Sequence, residues 1–128
     1  MKNPVKKFEL VIVGGGLTAA RAIKSYRDSG GSGQVALLTA EGVLPYHRPA
    51  LSKRYLRGEV DAPFAEAEAF YADHGAEVLL DTPATALDIG ARVVTTDAGG
   101  FQDEKLLLAP GSTPRQLDVA GSDLPEVY

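Results

Sequence analysis

The sequence predicts an α/β fold in which a parallel sheet carries a small inserted antiparallel β meander. One reason is the apolar, β-branched run that follows Glu9 at residues 10–13, which is typical of a strand buried in a parallel sheet. Another is the glycine-rich break at 14–16, which is followed by helical periodicity. A third is a set of short β segments with turn residues between them at 84–108. A chain of 128 residues is long enough for one such domain.

The remaining elements follow from apolar periodicity and from turn residues. They are a helix from about residue 17 to the glycine- and serine-rich stretch 28–33, a strand at 34–38, a short helix from about Ser52 to Leu56, a helix within 61–75 with Phe64, Phe70 and Tyr71 as core residues, a third parallel strand at 77–80, and meander strands at 84–88, 92–96 and 101–108 joined by turns at 89–91 and 97–100.

The glycine-rich break carries the pattern Gly-x-Gly-x-x-Ala, with Gly14, Gly16 and Ala19 at the fixed positions. Gly14 permits a tight turn, Gly16 lets backbone N–H groups approach a pyrophosphate, and Ala19 keeps the helix close to the strand. The helix N-terminus adds unpaired N–H groups and the positive end of its dipole. A Rossmann-like fold with a dinucleotide site is therefore predicted, and its pyrophosphate contacts are Gly14, Gly15, Gly16, Leu17, Thr18 and Ala19.

Glu41 lies just past the second predicted strand, 22 residues after Ala19. An acid at this place accepts hydrogen bonds from a ribose diol, and its charge repels a 2′-phosphate. The alternative is an ordinary glycine-rich turn followed by an unrelated surface glutamate. Because the strand, the spacing and the acid occur together, they favour a bound dinucleotide.

Composition excludes several classes of function. The net charge of −4 argues against nucleic-acid binding, which needs a clustered basic face. The chain has no apolar run long enough to cross a bilayer and no signal-peptide pattern, so a cytoplasmic protein without a membrane partner is expected. The absence of cysteine excludes dithiol chemistry and thiolate metal sites, and two histidines argue against a multi-histidine metal centre.

Three blocks of the sequence, in order, resemble one family. They are the glycine turn, the segment PYHRPALSK at 45–53 and the segment LLLAPGSTPR at 106–115. The family is that of the FAD-dependent pyridine-nucleotide oxidoreductases, in particular the branch of ferredoxin, rubredoxin and putidaredoxin reductases, and the resemblance covers essentially the whole chain. The family patterns are PYxRPPLSK and ATGxxPR, so Ala50 and Pro110 depart from them. Pro110 lacks both a backbone N–H and the threonine hydroxyl.

The resemblance implies FAD as the cofactor and a role for individual residues. The glycine turn holds the FAD pyrophosphate and Glu41 the adenosine ribose. Arg48 binds the pyrophosphate or nearby ribitol oxygens, a role that suits a planar cation with several donors. Lys53, the implied catalytic residue, lies near the flavin ring and stabilises negative charge on the reduced flavin. The other implied cofactor contacts are Ala84, through its backbone at the adenine edge, Gly111, through close backbone approach, and the cation Arg115.

Without the resemblance, the same residues have simpler interpretations. Arg48 between two prolines is equally consistent with a solvated loop residue, and Lys53 with a surface lysine of a short helix. Tyr46 is interpreted as a packing residue rather than a ligand. His47 and His74 are expected to be exposed, because neither has a carboxylate or a second histidine beside it in the sequence.

The resemblance also implies how the chain is divided. Residues 1–117 are expected to be the N-terminal part of an FAD-binding domain, and 118–128 a linker toward an NAD(P)H-binding domain that the chain lacks. The expected function is that of the FAD-binding portion of an NAD(P)H-dependent flavoprotein reductase. NAD(P)H and a ferredoxin-like iron–sulfur acceptor would bind through absent segments, so this chain alone would be inactive. Two alternatives stay open: a non-catalytic dinucleotide-binding module, and a degenerate fragment without cofactor that serves only in assembly.

Overall fold

The structure, a computed structural model, describes residues 4–127. Its elements are β1 (Val5–Val13), α1 (Leu17–Asp28), β2 (Val35–Leu38), a 3₁₀ helix (Arg48–Ala50), α2 (Glu68–Asp73), β3 (Ala76–Leu79), β4 (Ala84–Asp88), β5 (Val93–Thr96) and β6 (Gly99–Leu108). The strands form one sheet in the order β3-β2-β1-β6-β5-β4. The first four of these strands are parallel to their neighbours and the last three form an antiparallel meander, so the predicted α/β class is confirmed.

Strand β6 joins the meander to the parallel sheet. Its first residues, 99–102, pair with β5, whereas nearly its whole length pairs with β1, from Gly100 beside Val5 to Leu108 beside Val13. The strand therefore begins two residues before the predicted start at Phe101, and part of the predicted turn is strand instead. Because β6 belongs to both parts, the end of the parallel sheet is tied to the meander.

The core has one cluster on each face of the sheet. On the helix side, Ile23 of α1 packs with Ile12 and Leu37, which are fully buried. On the other side, the rings of Phe8 and Phe101 stack with their centroids 6.0 Å apart. The central strands β1 and β2 are covered on both faces, which explains their continuous apolar runs.

Two predicted helices differ from the structure. The helix expected within 61–75 is formed only at 68–73, because the preceding segment pairs with residues 45–47 instead. Tyr46 and Phe64 form an isolated antiparallel bridge, and the His47 N–H donates to the Pro63 carbonyl at 2.8 Å. As a result, Phe64 is 47% exposed and is not a core residue.

The short helix expected from about Ser52 to Leu56 does not form. The amides of Lys53, Tyr55 and Arg57 donate to carbonyls three, five and four residues earlier, so no regular ladder is established and the segment is a series of turns. In the part of the chain that the structure describes, no helix is long and apolar enough to cross a membrane. Within those residues, no group of His, Asp or Glu side chains is arranged to hold a metal ion.

Candidate functional site

A cleft of about 220 Å³ lies at the carboxyl ends of β1, β2 and β6. In open α/β sheets, ligands bind at this edge, where the connections of adjacent strands diverge, and β1 lies between β2 and β6. The cleft is lined by Val13, Gly14, Gly15, Gly16, Leu38, Thr39, Ala40, Glu41, Arg48, Pro83, Ala84, Ala109, Pro110 and Gly111.

The first two glycines of the turn fit closely against their neighbours. Gly14 has φ +129°, its N–H donates to the Leu38 carbonyl at 2.8 Å, and a Cβ there would lie 1.9 Å from the Ala109 carbonyl oxygen. A Cβ on Gly15 would lie 2.1 Å from Oγ1 of Thr39. The backbone conformation and the two close approaches explain why glycine occupies these positions.

Gly16 has a different environment. It precedes α1 with φ −95° and extended ψ, which any residue can adopt. Within residues 4–127, no atom of another element lies within 4 Å of where its Cβ would be, and no side chain caps the N-terminus of α1. The first-turn N–H groups of a 12-residue helix therefore border open space. This arrangement fits a pyrophosphate approaching the backbone.

Three side chains, here called the Glu41–Tyr46–Arg48 triad, form a hydrogen-bonded group on the wall of the cleft. The Tyr46 hydroxyl donates to Oε2 of Glu41 at 2.8 Å. Nη1 of Arg48 donates to the Tyr46 hydroxyl at 2.8 Å, and its Nη2 donates to Oε1 of Glu41. The guanidinium carbon lies 4.9 Å from the centroid of the Tyr46 ring. The interpretation of Tyr46 as a packing residue therefore overlooks its hydroxyl.

The triad fixes the charges of its members. The hydrogen bond from Arg48, and then that from Tyr46, lower the pKa of the Glu41 carboxyl, although burial opposes this. The hydrogen bond to Glu41 also raises the pKa of Tyr46 and that of Arg48. At neutral pH Glu41 is an anion next to a cation. Because Arg48 offsets the charge of Glu41, the pair repels a 2′-phosphate less than the isolated acid expected from the sequence would.

Thr39, which the sequence analysis did not single out, positions Glu41. Its side chain is buried, its Oγ1 accepts the Glu41 N–H at 3.1 Å, and its carbonyl accepts the Thr82 N–H at 2.7 Å. These bonds set the direction in which the chain leaves β2. The available signal was a threonine directly after a buried strand, where its hydroxyl can bond the backbone two residues on.

The other wall of the cleft comes from the segment after β6 and from the start of β4. The Ala109 N–H donates to the Val13 carbonyl at 2.8 Å, which extends the β1–β6 ladder by one bond. Pro110 and Gly111 follow, and Gly111 has φ +78°. Ala84 is the exposed first residue of β4 and borders the cleft beside Pro83.

The structure brings together part of the predicted set. The predicted cofactor contacts that line the cleft are Gly14, Gly15, Gly16, Glu41, Arg48, Ala84 and Gly111. Leu17 and Thr18 are exposed in the first turn of α1, and Ala19 is fully buried against the sheet. Lys53 and Arg115 do not line the cleft: Nζ of Lys53 lies 3.5 Å from the Pro49 carbonyl oxygen, and Arg115 borders a separate cavity formed by the C-terminal residues.

The two histidines are not exposed as expected, since both are half-buried. Nδ1 of His74 lies 2.8 Å from the Phe70 carbonyl oxygen, and the ring centroids of His74 and Phe70 are 4.0 Å apart. His47 precedes the 3₁₀ helix and is not among the residues that line the cleft. Neither histidine is therefore part of the candidate site.

Comparison with known proteins identifies the family. The profile of the pyridine nucleotide-disulphide oxidoreductase family matches residues 8–127. The rubredoxin-NAD(+) reductase of Pseudomonas putida is 37% identical over 118 residues, which are 90% of this chain and 31% of that protein. The chain spans about a third of the length of the curated relatives that it matches.

Similar solved structures support the same family. A ferredoxin reductase from Rhodopseudomonas palustris is 31% identical with a TM-score of 0.81, and the match covers 93% of this chain and 30% of that one. Putidaredoxin reductase, in its covalent complex with putidaredoxin, is 32% identical with a TM-score of 0.80 over 94% of this chain and 29% of that one. Proteins of this family bind FAD, and the match falls within their FAD-binding domain. The chain belongs to the pyridine nucleotide-disulphide oxidoreductase family.

Proposed function

We propose that this chain is the FAD-binding portion of an NAD(P)H-dependent flavoprotein reductase, and that its cleft holds the ADP half of FAD. The observation that carries the proposal is the cleft itself. It joins the open position at Gly16, the uncapped N-terminus of α1, and the anion–cation pair of Glu41 and Arg48 at one edge of the sheet. A dinucleotide needs this combination of backbone donors and a ribose-binding acid.

The order of the strands supports a direction for the ligand. The carboxyl ends of β3, β2, β1 and β6 follow one another along this edge. The adenine would lie against Pro83 and Ala84, the adenosine ribose at Glu41 and the pyrophosphate along residues 14–19. The rest of the cofactor would extend toward Gly111.

The cations have separate proposed roles. Two of the five N–H donors of Arg48 are used within the triad, and the others have no partner among residues 4–127, so they can bind a phosphate or a ribitol oxygen. Lys53 is the proposed neighbour of the flavin, where its charge would stabilise the reduced ring. Arg115 is proposed as a further cation toward the flavin end. Residues 1–117 would form the N-terminal part of the FAD domain, and 118–128 would lead toward an NAD(P)H-binding domain.

When bound, FAD would accept a hydride from NAD(P)H and release electrons singly, which is chemistry that the cofactor supplies. The proposed acceptor is a ferredoxin-like iron–sulfur protein, as the name of the putidaredoxin reductase complex suggests for that relative. The residues of the cleft would bind and orient the cofactor. The donor and acceptor would bind through regions that correspond to the other two thirds of the relatives.

The test is a visible absorption spectrum of the purified protein after incubation with excess FAD and desalting. We expect a retained flavin band in the wild-type protein and its loss in Gly16→Val, because the new side chain would occupy the space through which the pyrophosphate approaches. Gly90→Val is the matched control. Gly90 lies in the β4–β5 turn, and its Cβ would be 3.5 Å from Oδ1 of Asp88, an ordinary contact distance.

Three results would contradict the proposal. They are a colourless wild-type protein, wild-type FAD affinity in a folded Gly16→Val variant, and tighter binding of NAD than of FAD. Circular dichroism of both valine variants shows whether the fold is intact. Since the backbone of Gly16 suits valine, we expect Gly16→Val to fold.

A further inference from the structure

The Glu41–Tyr46–Arg48 triad differs from a simple ion pair in one respect. An arginine and a carboxylate ordinarily pair through two parallel N–H···O bonds. Here only Nη2 of Arg48 reaches the carboxylate directly, at Oε1. Nη1 donates to the Tyr46 hydroxyl, which in turn donates to Oε2. The phenol oxygen therefore stands where the second arm of a bidentate pair would be.

The backbone of Tyr46 is held in place by pairing with a distant segment. It forms the bridge to Phe64, and the bonds from His47 to Pro63 and from Ala65 to Pro45 hold both sides of that bridge at 2.8 Å. Arg48, by contrast, has a side chain that is 58% exposed at the start of the 3₁₀ helix. The tyrosine can thus hold a fixed position while the arginine adjusts to it.

We propose that Tyr46 is a positioning residue that keeps Arg48 off Oε2 of Glu41, so that the ribose diol of the bound nucleotide meets a neutral phenol O–H at that oxygen instead of a second guanidinium N–H. The inference rests on the proposed function, because it takes the ADP half of FAD as the ligand. It assigns Tyr46 a role through Glu41 and not a contact with the cofactor.

The physical reason is competition for the same acceptor. A guanidinium and a vicinal diol both present two donors at a spacing that fits a carboxylate. If the phenol oxygen is removed, Nη1 is free to move onto Oε2 and the internal pair becomes bidentate. The diol then has to displace a charged guanidinium N–H from Oε2, where the wild type has only the neutral phenol O–H, and its contribution to affinity falls.

The experiment compares ADP with 2′,3′-dideoxy-ADP, which lacks the diol, by calorimetry on the full chain. We expect wild-type protein to prefer ADP by roughly tenfold, the order of one hydrogen bond to a charged group. In Tyr46→Phe this preference should fall close to one. The double variant Tyr46→Phe/Arg48→Gln should regain part of the preference, because the competing cation is gone. Tyr55→Phe, the same change at an exposed tyrosine of the same loop, should keep the wild-type ratio.

The ratio separates positioning from a structural role, since a disturbed loop would weaken both ligands equally and leave their ratio unchanged. An unchanged ratio in Tyr46→Phe therefore overturns the inference, and so does a double variant that recovers none of the preference. A crystal structure of ligand-free Tyr46→Phe gives a readout that needs no ligand. Both terminal nitrogens of Arg48 should bond the carboxylate there, and a single-armed pair overturns the inference even if the protein binds neither ADP nor FAD and the proposed function fails.

Discussion

A Cβ atom on Gly14 would lie 1.9 Å from the carbonyl oxygen of Ala109, so the end of β6 packs directly against the first glycine of the turn. Two residues later, no described atom of another element lies within 4 Å of the corresponding position on Gly16. The two glycines of the fingerprint thus have separable roles. Gly14 lets the end of β6 pack against the turn, and Gly16 leaves space beside the helix N-terminus.

This separation predicts that Gly14→Ala destabilises the fold. Alanine would be strained at φ +129° and would collide with Ala109, which together should lower the free energy of unfolding by roughly 2–4 kcal/mol. Urea denaturation followed by circular dichroism measures the change. Gly90→Ala is the control, because Gly90 has no positive φ and its Cβ would be 3.5 Å from its nearest neighbour. Equal midpoints for the two variants would contradict the prediction.

Arg27 at the end of α1 should be a second determinant of stability. Its guanidinium donates to the carbonyls of His74 at 2.7 Å, Gly33 at 2.8 Å, Gly31 at 3.0 Å and Gly75 at 3.3 Å. These bonds join the loop after α1 to the turn between α2 and β3. We expect Arg27→Ala to cost roughly 2–3 kcal/mol, because several partly buried carbonyls lose a charged donor.

Lysine should rescue little of this loss, since one ammonium group cannot reach acceptors on both turns as a planar fork does. Lys24→Ala, which removes an exposed pair with Asp28 on the same helix, should cost about 0.5 kcal/mol or less. Thermal unfolding of the three variants tests the ranking. A stable Arg27→Ala protein, or full rescue by Arg27→Lys, would show that the hydrogen bonds of the Arg27 guanidinium contribute little to stability.

Removing the hydroxyl of Tyr71 is expected to cost little stability, in contrast to removing the side chain of Arg27. Its hydroxyl is buried without a hydrogen-bond partner among the residues that the structure describes. Tyr71→Phe should therefore keep the stability within about 1 kcal/mol of the wild type or raise it. Tyr26→Phe is the contrast, because the Tyr26 hydroxyl accepts the Gly33 N–H at 3.2 Å, and its removal should destabilise.

Tyr71 should also make the stability of the fold depend on pH. Burial, and then the charge of Glu66, raise the pKa of Tyr71 to about 12 in the folded protein. Because the unfolded chain loses this proton first, stability should fall as the pH rises from about 10 through 12. Denaturation at several pH values should show a shallower decline in Tyr71→Phe than in the wild type. Identical declines would mean that Tyr71 does not titrate with unfolding.

The Glu41 carboxyl should report the integrity of the triad in acid. Arg48 and Tyr46 lower the pKa of Glu41, so their hydrogen bonds stabilise the fold at pH values above the ordinary pKa of a carboxyl group. This stabilisation is lost as the pH falls below about 4, through the lowered pKa of the folded protein. A ¹³C NMR titration of the side-chain carboxyl should show that pKa rise toward its usual value in Arg48→Gln. A Glu41 titration that is the same with and without Arg48 would argue against the ion pair in solution.

Local patterns predicted the parts of the site that depend on local chemistry. The glycine turn depends on the buried run before Gly14 and on the spacing of the glycines, which are neighbours in the sequence. The position of Glu41 depends on the strand directly before it, so both features could be predicted. Thr39 and Tyr46 were missed because their importance lies in hydroxyl hydrogen bonds formed only after folding.

The errors have the same origin in long-range contacts. Phe64 has helical spacing with later apolar residues, but its backbone pairs with Tyr46 and leaves the helix pattern. The acceptors of Arg27 are carbonyls from two other turns, for which a sequence has no side-chain signal. At Phe64, pairing between distant backbone segments overrode the local helical propensity.

The register of β1 with β6 has a consequence for the order of folding. Eight of the nine residues of β1 pair with a residue 95 positions later in the chain, so one side of the cleft cannot form until a very long loop has closed. A nascent chain whose β6 residues have not yet emerged from the ribosome therefore has the complete glycine fingerprint but lacks the wall of the cleft at Ala109. We expect nucleotide to stabilise a late stage of folding, and to protect finished molecules from proteases without accelerating the early steps.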